Sequence, residues 1–537
     1  MYPIDFFFRA AEQYPERVAL DGPDGVITYA ELAASTRALA AALQALDPEP
    51  QTRVAICAGN SAQHILALLA VLASGKIWVP LNYRSTAREI GRILDATTPS
   101  IVIVDQAGGP LTATGDGARI HLDDGDDSAG TGKGSGQGAS SDSGADAGTG
   151  SSSGNSSGAG SRSSLRLNAL LRQYAGREPT RHALSRDATQ AIKFTGGTTG
   201  LPKGVMQPYR AWNAGIINQI SSWELTREDR YVVSAPITHG TGTYVLPVLA
   251  SGGAHLLLDS VTPATITAAF RERGGTLSFM PPTLIYMIMA QDGVSRADFP
   301  HLRNLIYGGA PMPPEKIDRA REFFGPVLGT TYGQTEAPQI ATVLRPADLN
   351  DPRNRASVGR ATWLSDVAIM APDGTLLPRG EIGEVVVQGD LTMTGYWRLP
   401  EKTAETLIDG WLHTGDTGLI DARGYLFLKD RLRDVIITGG FNVYPVDVEN
   451  ALSSHPAVYE CSVFGLPDDK WGEAVHAAVQ FHLGAQADAD ALKAHVRALL
   501  GPVATPKQFH IHDSLPRSSV GKVLKNAVRD AAQKETP

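Results

Sequence analysis

The chain has 537 residues, of which 42% are hydrophobic and 19% are charged. This length predicts two or more domains with sizeable cores. The formal net charge of −8 is spread along the chain without a basic stripe, which excludes nucleic acid and an anionic membrane as main partners. Cys57 and Cys461 lie far apart, so we expect neither a disulfide nor a zinc site.

The two termini and the most apolar stretch predict a cytoplasmic protein without a membrane span. The N-terminus, MYPIDFFFRAAEQYPERVAL, carries an acidic residue where a signal peptide needs positive charge. The C-terminal KETP matches no retention or peroxisomal signal. The apolar stretch from His64 to Leu81 is interrupted by Gly75 and Lys76, and it is shorter than the roughly 20 residues of a membrane span. It predicts a buried helix followed by a core strand.

Helix and strand patterns alternate along the chain up to about residue 430. Residues 27–46, ITYAELAASTRALAAALQAL, predict a helix capped by Thr28. RVAICAG from Arg53 and SIVIVD from Ser100 are short apolar runs, as is typical of buried parallel strands. This alternation predicts the α/β class.

Residues 124–164 interrupt the pattern because they contain no large apolar side chain. Such a segment cannot bury enough surface to offset its chain entropy, which predicts a disordered surface loop. Gly134, Gly136 and Ala139 match the dinucleotide pattern GxGxxA there, but no strand precedes them and no helix follows, so the match is chance.

The amino-acid composition changes again near residue 430. There, FLKDRLRDVIITGGFNVYP is first rich in charged residues and then rich in residues that favour β-strands. The residues that follow suffice for a small α+β domain. We therefore expect an N-terminal domain at 1–430, a hinge at 431–434 and a C-terminal domain at 435–537.

The stretch FTGGTTGLPKGV, residues 194–205, predicts a phosphate-binding loop. A glycine-rich turn points successive N–H groups into one concavity, while threonine hydroxyls and one lysine add donors. The P-loop pattern GxxxxGK[ST] does not fit, because Pro202 precedes the lysine. A flexible surface turn is the alternative. The predicted phosphate ligands are Thr195, Gly197, Thr198, Thr199, Gly200 and Lys203.

Residues from other motifs converge on the same ligand. In TTYGQTE, Tyr332 can stack on a base, Thr335 can bind a phosphate and Glu336 can hold Mg²⁺. A lone carboxylate suffices for Mg²⁺ when phosphate oxygens complete its shell. In HTGD, Asp416 can accept both hydroxyls of a ribose, and Arg431 of DRLRD can reach the same sugar.

Seven motifs in a fixed order carry a family resemblance. They are FTGGTTGLPKG, PITHG, YGGAP, TYGQTE, HTGD, DRLRDVIITGGFNVYP and LPRSSVGK. The sequence resembles the adenylate-forming superfamily of acyl- and aryl-CoA synthetases, adenylation domains and luciferases over nearly the whole chain outside 124–164. The resemblance implies an α/β fold, in which a large N-terminal lobe combines stacked α/β sheets with a distorted β-barrel and precedes a small mobile α+β domain.

The resemblance also implies a two-step reaction with ATP, Mg²⁺ and CoA. A carboxylate attacks the α-phosphorus of ATP to give an acyl-adenylate and pyrophosphate, and the CoA thiolate then displaces AMP after the small domain rotates. The predicted partners are a small-molecule carboxylic acid, ATP and CoA, with a homodimer as a possible assembly and no nucleic acid.

Residue roles follow from the matching motifs. The implied catalytic set is Lys522, which bridges the carboxylate and the α-phosphate, His239 as a gate to the CoA tunnel, Glu336 and Thr195. Further implied nucleotide and CoA contacts are Gly309, Ala310, Pro311, Thr331, Tyr332, Gly333, Thr335, Asp416, Arg431, Gly439 and Gly440. Arg433 matches the hinge position, although many relatives carry Asp or Lys there. Gly196 stands where many relatives carry a serine. The resemblance therefore implies that the loop has one hydroxyl donor fewer for the phosphates.

The implied acyl pocket comprises His239, Phe279, Thr283, Gly308, Gly333, Pro338 and Gln339. The glycines at 308 and 333 predict room, and no cation occurs among these positions, which disfavours a short dicarboxylate. We therefore expect a medium or long fatty acid, or a bulky cyclic or aromatic acid.

Several other functions compete with an acyl-CoA ligase. A stand-alone enzyme that loads an acyl or aryl group onto a carrier protein is the principal alternative. Amino-acid adenylation needs an acid near the PITHG motif, where His239 stands instead. A luciferase-like oxidase is a third. A non-catalytic nucleotide-binding scaffold would have lost catalytic positions, yet Lys203, Glu336, Asp416, Arg431 and Lys522 are all present.

Overall fold

A computed structural model describes residues 1–112, 117–123, 165–195, 203–431, 434–468, 470–517 and 523–535. Six predictions lie outside these residues. They concern the disordered loop at 124–164, the loop ligands Gly197, Thr198, Thr199 and Gly200, the replacement at Gly196, the hinge residue Arg433, the catalytic residue Lys522 and the side chain of Arg431.

The first part of the large lobe alternates strands and helices, as the sequence predicts. Its elements are α1 (Pro3–Gln13), β1 (Val18–Gly22), β2 (Gly25–Thr28), α2 (Tyr29–Leu46), β3 (Arg53–Cys57), α3 (Ala62–Ala73), β4 (Ile77–Leu81), α4 (Ala87–Thr97), β5 (Ile101–Val104), β6 (Ala118–His121), β7 (Leu165–Arg166), α5 (Leu167–Gln173), β8 (Thr189–Thr195), β9 (Lys203–Pro208), α6 (Tyr209–Trp223), β10 (Arg230–Val232), α7 (Val245–Ala250), β11 (Ala254–Leu256), α8 (Pro263–Glu272), β12 (Leu277–Met280), α9 (Pro282–Met289), β13 (Asn304–Tyr307), α10 (Pro314–Phe324) and β14 (Leu328–Tyr332).

Alternation ends at β14, so the prediction that it continues to residue 430 is wrong. The remaining elements of the large lobe are β15 (Thr342–Leu344), α11 (Pro346–Leu349), β16 (Arg360–Ala361), β17 (Asp366–Met370), β18 (Gly383–Gln388), β19 (Gly395–Tyr396), α12 (Pro400–Thr406), β20 (Leu407–Ile408), β21 (Trp411–Ile420) and β22 (Leu426–Arg431). These strands pair antiparallel. Most of their connections are too short for the crossover that parallel pairing requires.

The described part of the large lobe contains three sheets. The first has the order β19-β9-β8-β4-β3-β5-β6-β7, and the second has the order β16-β15-β14-β13-β12-β10-β11-β1-β2. The third has the order β17-β18-β21-β20, with β22 paired to β21. One hydrophobic core joins the first two sheets, because it contains Val54 and Trp78 of the first together with Leu20 and Tyr231 of the second.

Local sequence signals explain several of these elements. Thr28 caps α2 in a reciprocal arrangement, because its hydroxyl accepts from the Glu31 N–H at 3.3 Å and its own N–H donates to the Glu31 carboxylate at 2.8 Å. The apolar stretch from His64 to Leu81 forms buried α3 and β4, as predicted. No helix in the described part of the chain is long and apolar enough to cross a membrane.

The small lobe is an α+β unit, in agreement with the expectation. Its elements are β23 (Ile436–Thr438), β24 (Phe441–Val443), α13 (Pro445–Ser453), β25 (Val458–Asp468), β26 (Gly472–Phe481), α14 (Ala489–Leu500), β27 (Gln508–Ile511) and α15 (Lys525–Glu535). The strand order is β24-β23-β26-β25, with β27 paired to β26. Lys525 contacts Glu449 at 3.1 Å and Asp430 of β22 at 3.6 Å, which links this lobe to the last strand of the large lobe.

Candidate active site

The hairpin of β8 and β9 closes the base of the predicted phosphate loop. Thr195, the last residue of β8, pairs with Lys203, the first residue of β9. Directly opposite residues of an antiparallel pair point to the same face of the sheet. The structure therefore brings the two described ends of the loop together on one face.

Tyr396, which was not predicted from the sequence, contacts both Glu336 and Lys203. The Tyr396 hydroxyl donates to Glu336 Oε1 at 2.8 Å, and the Lys203 ammonium lies 4.4 Å from the centre of the same ring. Burial and the neighbouring Glu336 raise the pKa of Tyr396, which therefore stays a proton donor. Tyr396 reaches this position because β19 pairs with β9, where Tyr396 lies opposite Val205.

The surroundings of Glu336 suit a magnesium ion held jointly with phosphate. Backbone contacts fix this segment, because Met393 N–H donates to the Glu336 carbonyl at 2.7 Å and Gln207 Nε2 donates to the Thr335 carbonyl at 2.8 Å. Within the described residues, no group of three His, Cys, Asp or Glu side chains could hold a metal ion alone. One carboxylate completed by nucleotide oxygens is an ordinary Mg²⁺ arrangement, so the residues present fit the ion.

Asp416 is held by two donors from the TYGQTE motif. The Tyr332 hydroxyl and the Gln334 side-chain amide each donate to Asp416 Oδ2 at 2.7 Å. Gln334 also donates to the Thr414 carbonyl at 2.9 Å. Asp416 pairs with Arg431 across β21 and β22, so the HTGD and DRLRD motifs are adjacent. Gln334 was missed, although it stands in the same motif as Tyr332.

Three parallel strands place the remaining predicted residues at one sheet edge. β12, β13 and β14 are neighbours, and their carboxyl ends lead to Thr283, to Gly308–Pro311 and to Gly333–Glu336. Ligands bind at such carboxyl ends in open α/β sheets. Gly309 has a φ of +78°, and a Cβ placed there would meet no atom within 4 Å, so this side of the turn is open.

The expectation that Gly308 and Gly333 leave room in the acyl pocket is wrong. A Cβ at Gly308 would lie 2.8 Å from the Phe279 ring, which fills that space. A Cβ at Gly333 would lie 2.6 Å from the Gln339 carbonyl carbon and 2.8 Å from the Ala337 oxygen. Gly333 is therefore required by a tight turn of the backbone, and Gly308 by the packing of an aromatic ring.

Some of the residues predicted for the acyl pocket, Phe279, Gly308 and Gln339, nevertheless lie together. A Cβ at Gly240 would lie 2.7 Å from the Phe279 ring and 3.2 Å from Gln339 Oε1, so both side chains pack against the segment after His239. Gln339 follows Pro338 in the tight turn and has a φ of +68°. The Thr331 hydroxyl donates to the Gln339 carbonyl at 2.5 Å and holds this conformation.

His239 is exposed, yet its environment disfavours a positive charge. The surrounding protein excludes bulk water and, with the charges of Lys193 and Arg84, lowers the pKa of His239 to about 4. Its Nδ1 lies 2.9 Å from the Thr238 hydroxyl. His239 is thus neutral at physiological pH.

The two glycines predicted to meet CoA form the turn between β23 and β24. Gly439 and Gly440 have φ values of +57° and +81°, which side chains rarely adopt. The Gly439 N–H donates to the Trp471 carbonyl at 2.8 Å, and a Cβ there would lie 3.0 Å from the Trp471 ring. The tip of this turn therefore has no side chain to cover its backbone, and the Trp471 ring lies beside it.

Comparison with known proteins identifies the family of this chain. The family model described as AMP-binding enzyme matches residues 7–397, and the AMP-binding enzyme C-terminal domain matches residues 447–522. Feruloyl-CoA synthase of Amycolatopsis sp is 32% identical over 97% of both chains. The medium/long-chain-fatty-acid–CoA ligase FadD8 of Mycobacterium tuberculosis is 36% identical over 64% of this chain, and the match spans only 62% of that ligase. The solved amide bond synthetase McbA from Marinactinospora thermotolerans has a TM-score of 0.84 and 30% identity, with 99% of this chain and 100% of that chain covered.

Proposed function

The chain belongs to the AMP-binding enzyme family of adenylate-forming ligases, and on that premise we propose that it is an ATP-dependent acyl-CoA ligase. It activates a carboxylic acid as an acyl-adenylate and then transfers the acyl group to CoA, with release of pyrophosphate and AMP. The observation that carries this proposal is the meeting of Lys203, Tyr396 and Glu336 at the base of the phosphate loop.

The nucleotide end of the site supplies charge and fixed acceptors. In the proposed complex, Thr195 and Lys203 bind phosphate oxygens, Asp416 and Arg431 bind the ribose, and Tyr332 lies against the base. Glu336 would hold Mg²⁺, which when bound neutralises phosphate charge. A carboxylate that approaches a polyphosphate meets electrostatic repulsion, so preorganised cations and donors supply most of the catalysis.

The acyl end of the site supports a bulky apolar acid. Phe279, packed against Tyr244 with ring centres 5.6 Å apart, lies beside Gly308 and Gly240. The named substrates of the relatives are a medium or long fatty acid and the aromatic feruloyl group. We propose that this chain accepts an acid of the same range, either a fatty acid or a cyclic or aromatic acid.

A panel of carboxylic acids tests this function. Purified protein, ATP and Mg²⁺ are incubated with each acid, with and without CoA, and pyrophosphate release and thioester formation are measured. We expect a CoA thioester from fatty or aromatic acids. Adenylate that passes to a carrier protein but never to CoA would favour the carrier-loading alternative, and amide formation with added amines would favour a McbA-like reaction. Absence of pyrophosphate exchange with every acid would contradict the proposal.

Substitution of Lys522 should affect only the first of the two half-reactions. Replacement of Lys522 by Ala should lower adenylation by about 100-fold, because a cation between the two reacting anions is lost. Thioester formation from supplied acyl-AMP should survive, because this step does not bring the two anions together. Equal loss of both steps would remove Lys522 from its proposed role.

A further inference from the structure

Lys193 is a buried cation between the two large sheets that none of the predicted roles uses. It stands in β8, two positions before Thr195 and on the same face of the sheet. The side chain is 8% exposed. Its ammonium lies 5.0 Å from the Trp78 ring centre and 5.5 Å from that of Trp212, and the two rings are 5.9 Å apart at 78°.

Three hydrogen-bond donors belong to side chains that contact one another here. No hydrogen bond or ion pair of the Lys193 ammonium occurs within the described residues, and the indole N–H groups of Trp78 and Trp212 are buried without partners. None of the three groups can accept a hydrogen bond. We call them the donor cluster. Buried donors without acceptors are costly, which is the arrangement expected of a site that awaits an oxygen ligand.

The charge of Lys193 remains available at neutral pH. Burial lowers the pKa of Lys193 to about 8, and no carboxylate acts on it. The ammonium is therefore mainly protonated at pH 7. Its contacts with the faces of two aromatic rings offset only part of its desolvation.

The donor cluster lies on the acyl side of the phosphate loop. The Trp78 ring would lie 3.6 Å from a Cβ at Gly242, three residues after His239. Lys193 and Arg84 both lower the pKa of His239, so the local potential around this histidine is positive. An anionic or electron-rich group is favoured in such a field. Lys193 does not belong to the positions predicted for the acyl pocket, among which no cation occurs.

We propose that Lys193, together with Trp78 and Trp212, binds an oxygen atom in the acyl portion of the substrate. The preferred acid then carries a second oxygen group, such as a carboxylate, phenol or ketone, remote from the carboxylate that is activated. Lys193 is in this way a specificity-determining residue. This inference rests on the proposed ligase function and narrows its substrate class.

Matched pairs of acids test the inference. Decanoate is compared with decanedioate, and cinnamate with 4-hydroxycinnamate, by kcat/KM for CoA-thioester formation. The wild type should prefer the oxygen-bearing member of at least one pair by about 10-fold or more, as expected for a hydrogen bond to a charged group. A wild type that prefers the plain acid in both pairs would overturn the proposal.

Substitution of Lys193 should remove this preference selectively. Lys193→Met should lower kcat/KM for the preferred oxygen-bearing acid by about 10-fold and change the plain acid by less than about twofold. Lys193→Arg should retain part of the preference. Trp212→Phe, which keeps a six-membered aromatic ring but removes the pyrrole portion with its N–H, should reduce it by a smaller factor. If Lys193→Met lowers kcat/KM equally for the oxygen-bearing and the plain acid, the proposal is overturned. If that equal loss comes from an equal rise of KM for both acids, Lys193 binds the carboxylate that reacts.

Lys76 provides the matched control. It is also buried, but its ammonium contacts Asp47 at 3.4 Å, the Glu49 carbonyl at 3.0 Å and the Thr52 hydroxyl at 2.8 Å. Lys76→Met should lower the melting temperature without changing the ratio between paired acids. If Lys193→Met does not fold, Lys193→Arg and Trp212→Phe decide the question. If thioesters form from plain acids and substitution of Lys193 does not change the preference between paired acids, only this inference is refuted. If no acid gives a thioester, the ligase function is refuted.

Discussion

The two ends of the candidate site differ in how their polar groups are satisfied. At the nucleotide end, Asp416 accepts from Tyr332 and Gln334, and Glu336 accepts from Tyr396. At the proposed acyl end, the indole N–H groups of Trp78 and Trp212 beside Lys193 have no acceptor within the described ranges. The carboxylates of the nucleotide end are thus satisfied by the protein itself, whereas the donors of the proposed acyl end would find their acceptor in a ligand.

This contrast suggests what each end contributes to the reaction. Fixed acceptors hold a cosubstrate that is the same in every turnover, and preorganisation lowers the cost of binding it. Buried donors without acceptors reject an acid that cannot satisfy them, which is a strong source of discrimination. Substitutions at the nucleotide end test whether it behaves as one preorganised unit.

The largest effect is expected from Glu336→Gln. Loss of the carboxylate should lower pyrophosphate exchange by about 100-fold and shift the Mg²⁺ titration to higher concentration, because a ligand for the ion is removed. Activity is measured against Mg²⁺ at saturating ATP. Glu401→Gln on exposed α12 is the control and should match the wild type. An unchanged magnesium titration would remove Glu336 as a ligand.

A smaller effect is expected from Asp416→Asn. The substitution removes a charged acceptor for the ribose and for Tyr332 and Gln334, so KM for ATP should rise about 30-fold. Initial rates at varied ATP check this, with Asp366→Asn at an exposed position of β17 as the control. If KM for the acid rises as much as KM for ATP, the residue does not act at the nucleotide.

Tyr396→Phe should act through Glu336 alone. The ring beneath Lys203 is retained and only the hydroxyl that donates to Glu336 is lost, so Mg²⁺ affinity should fall about 10-fold. Tyr425→Phe is a matched control, since the Tyr425 hydroxyl also donates to a carboxylate, that of Asp348 at 3.2 Å. A fall in kcat with an unaltered Mg²⁺ titration would contradict a positioning role.

The smallest effect concerns pH. His239 has a pKa of about 4 and is neutral above pH 6, so the ratio of His239→Asn to wild-type rates should stay constant within about twofold from pH 6 to 8. The unfolded chain binds the extra proton first, so the stability that neutral His239 contributes is complete above about pH 6.5 and is lost as the pH falls toward 4. A wild-type inflection near pH 6.5 that the variant lacks would contradict this assignment.

Particular residues show how far the sequence could be interpreted. The cap at Thr28, the buried strands β3 and β5 and the small α+β lobe follow from local pattern, and the structure contains all of them. Tyr332 and Asp416 were predicted to share a ligand, and the structure joins them by a hydrogen bond. Gln334 and Tyr396 were missed because their roles exist only through partners distant along the chain.

Glycines were the least reliable guide. Gly308 and Gly333 suggested space, but Phe279 and the backbone of Gln339 occupy the positions where their side chains would extend. A missing side chain can admit a ligand, a ring or a turn, and sequence alone does not distinguish these cases.

The sequence by itself determined the elements, the motifs and their order, because capping, periodicity and turn chemistry act between near neighbours. Only the tertiary structure decided which motifs touch and which charges remain unpaired. Lys193 stands in a strand, and Trp78 and Trp212 stand in a neighbouring strand and a helix. Their meeting depends on strand order and on the packing of helices between sheets, which are set by long-range burial of apolar surface.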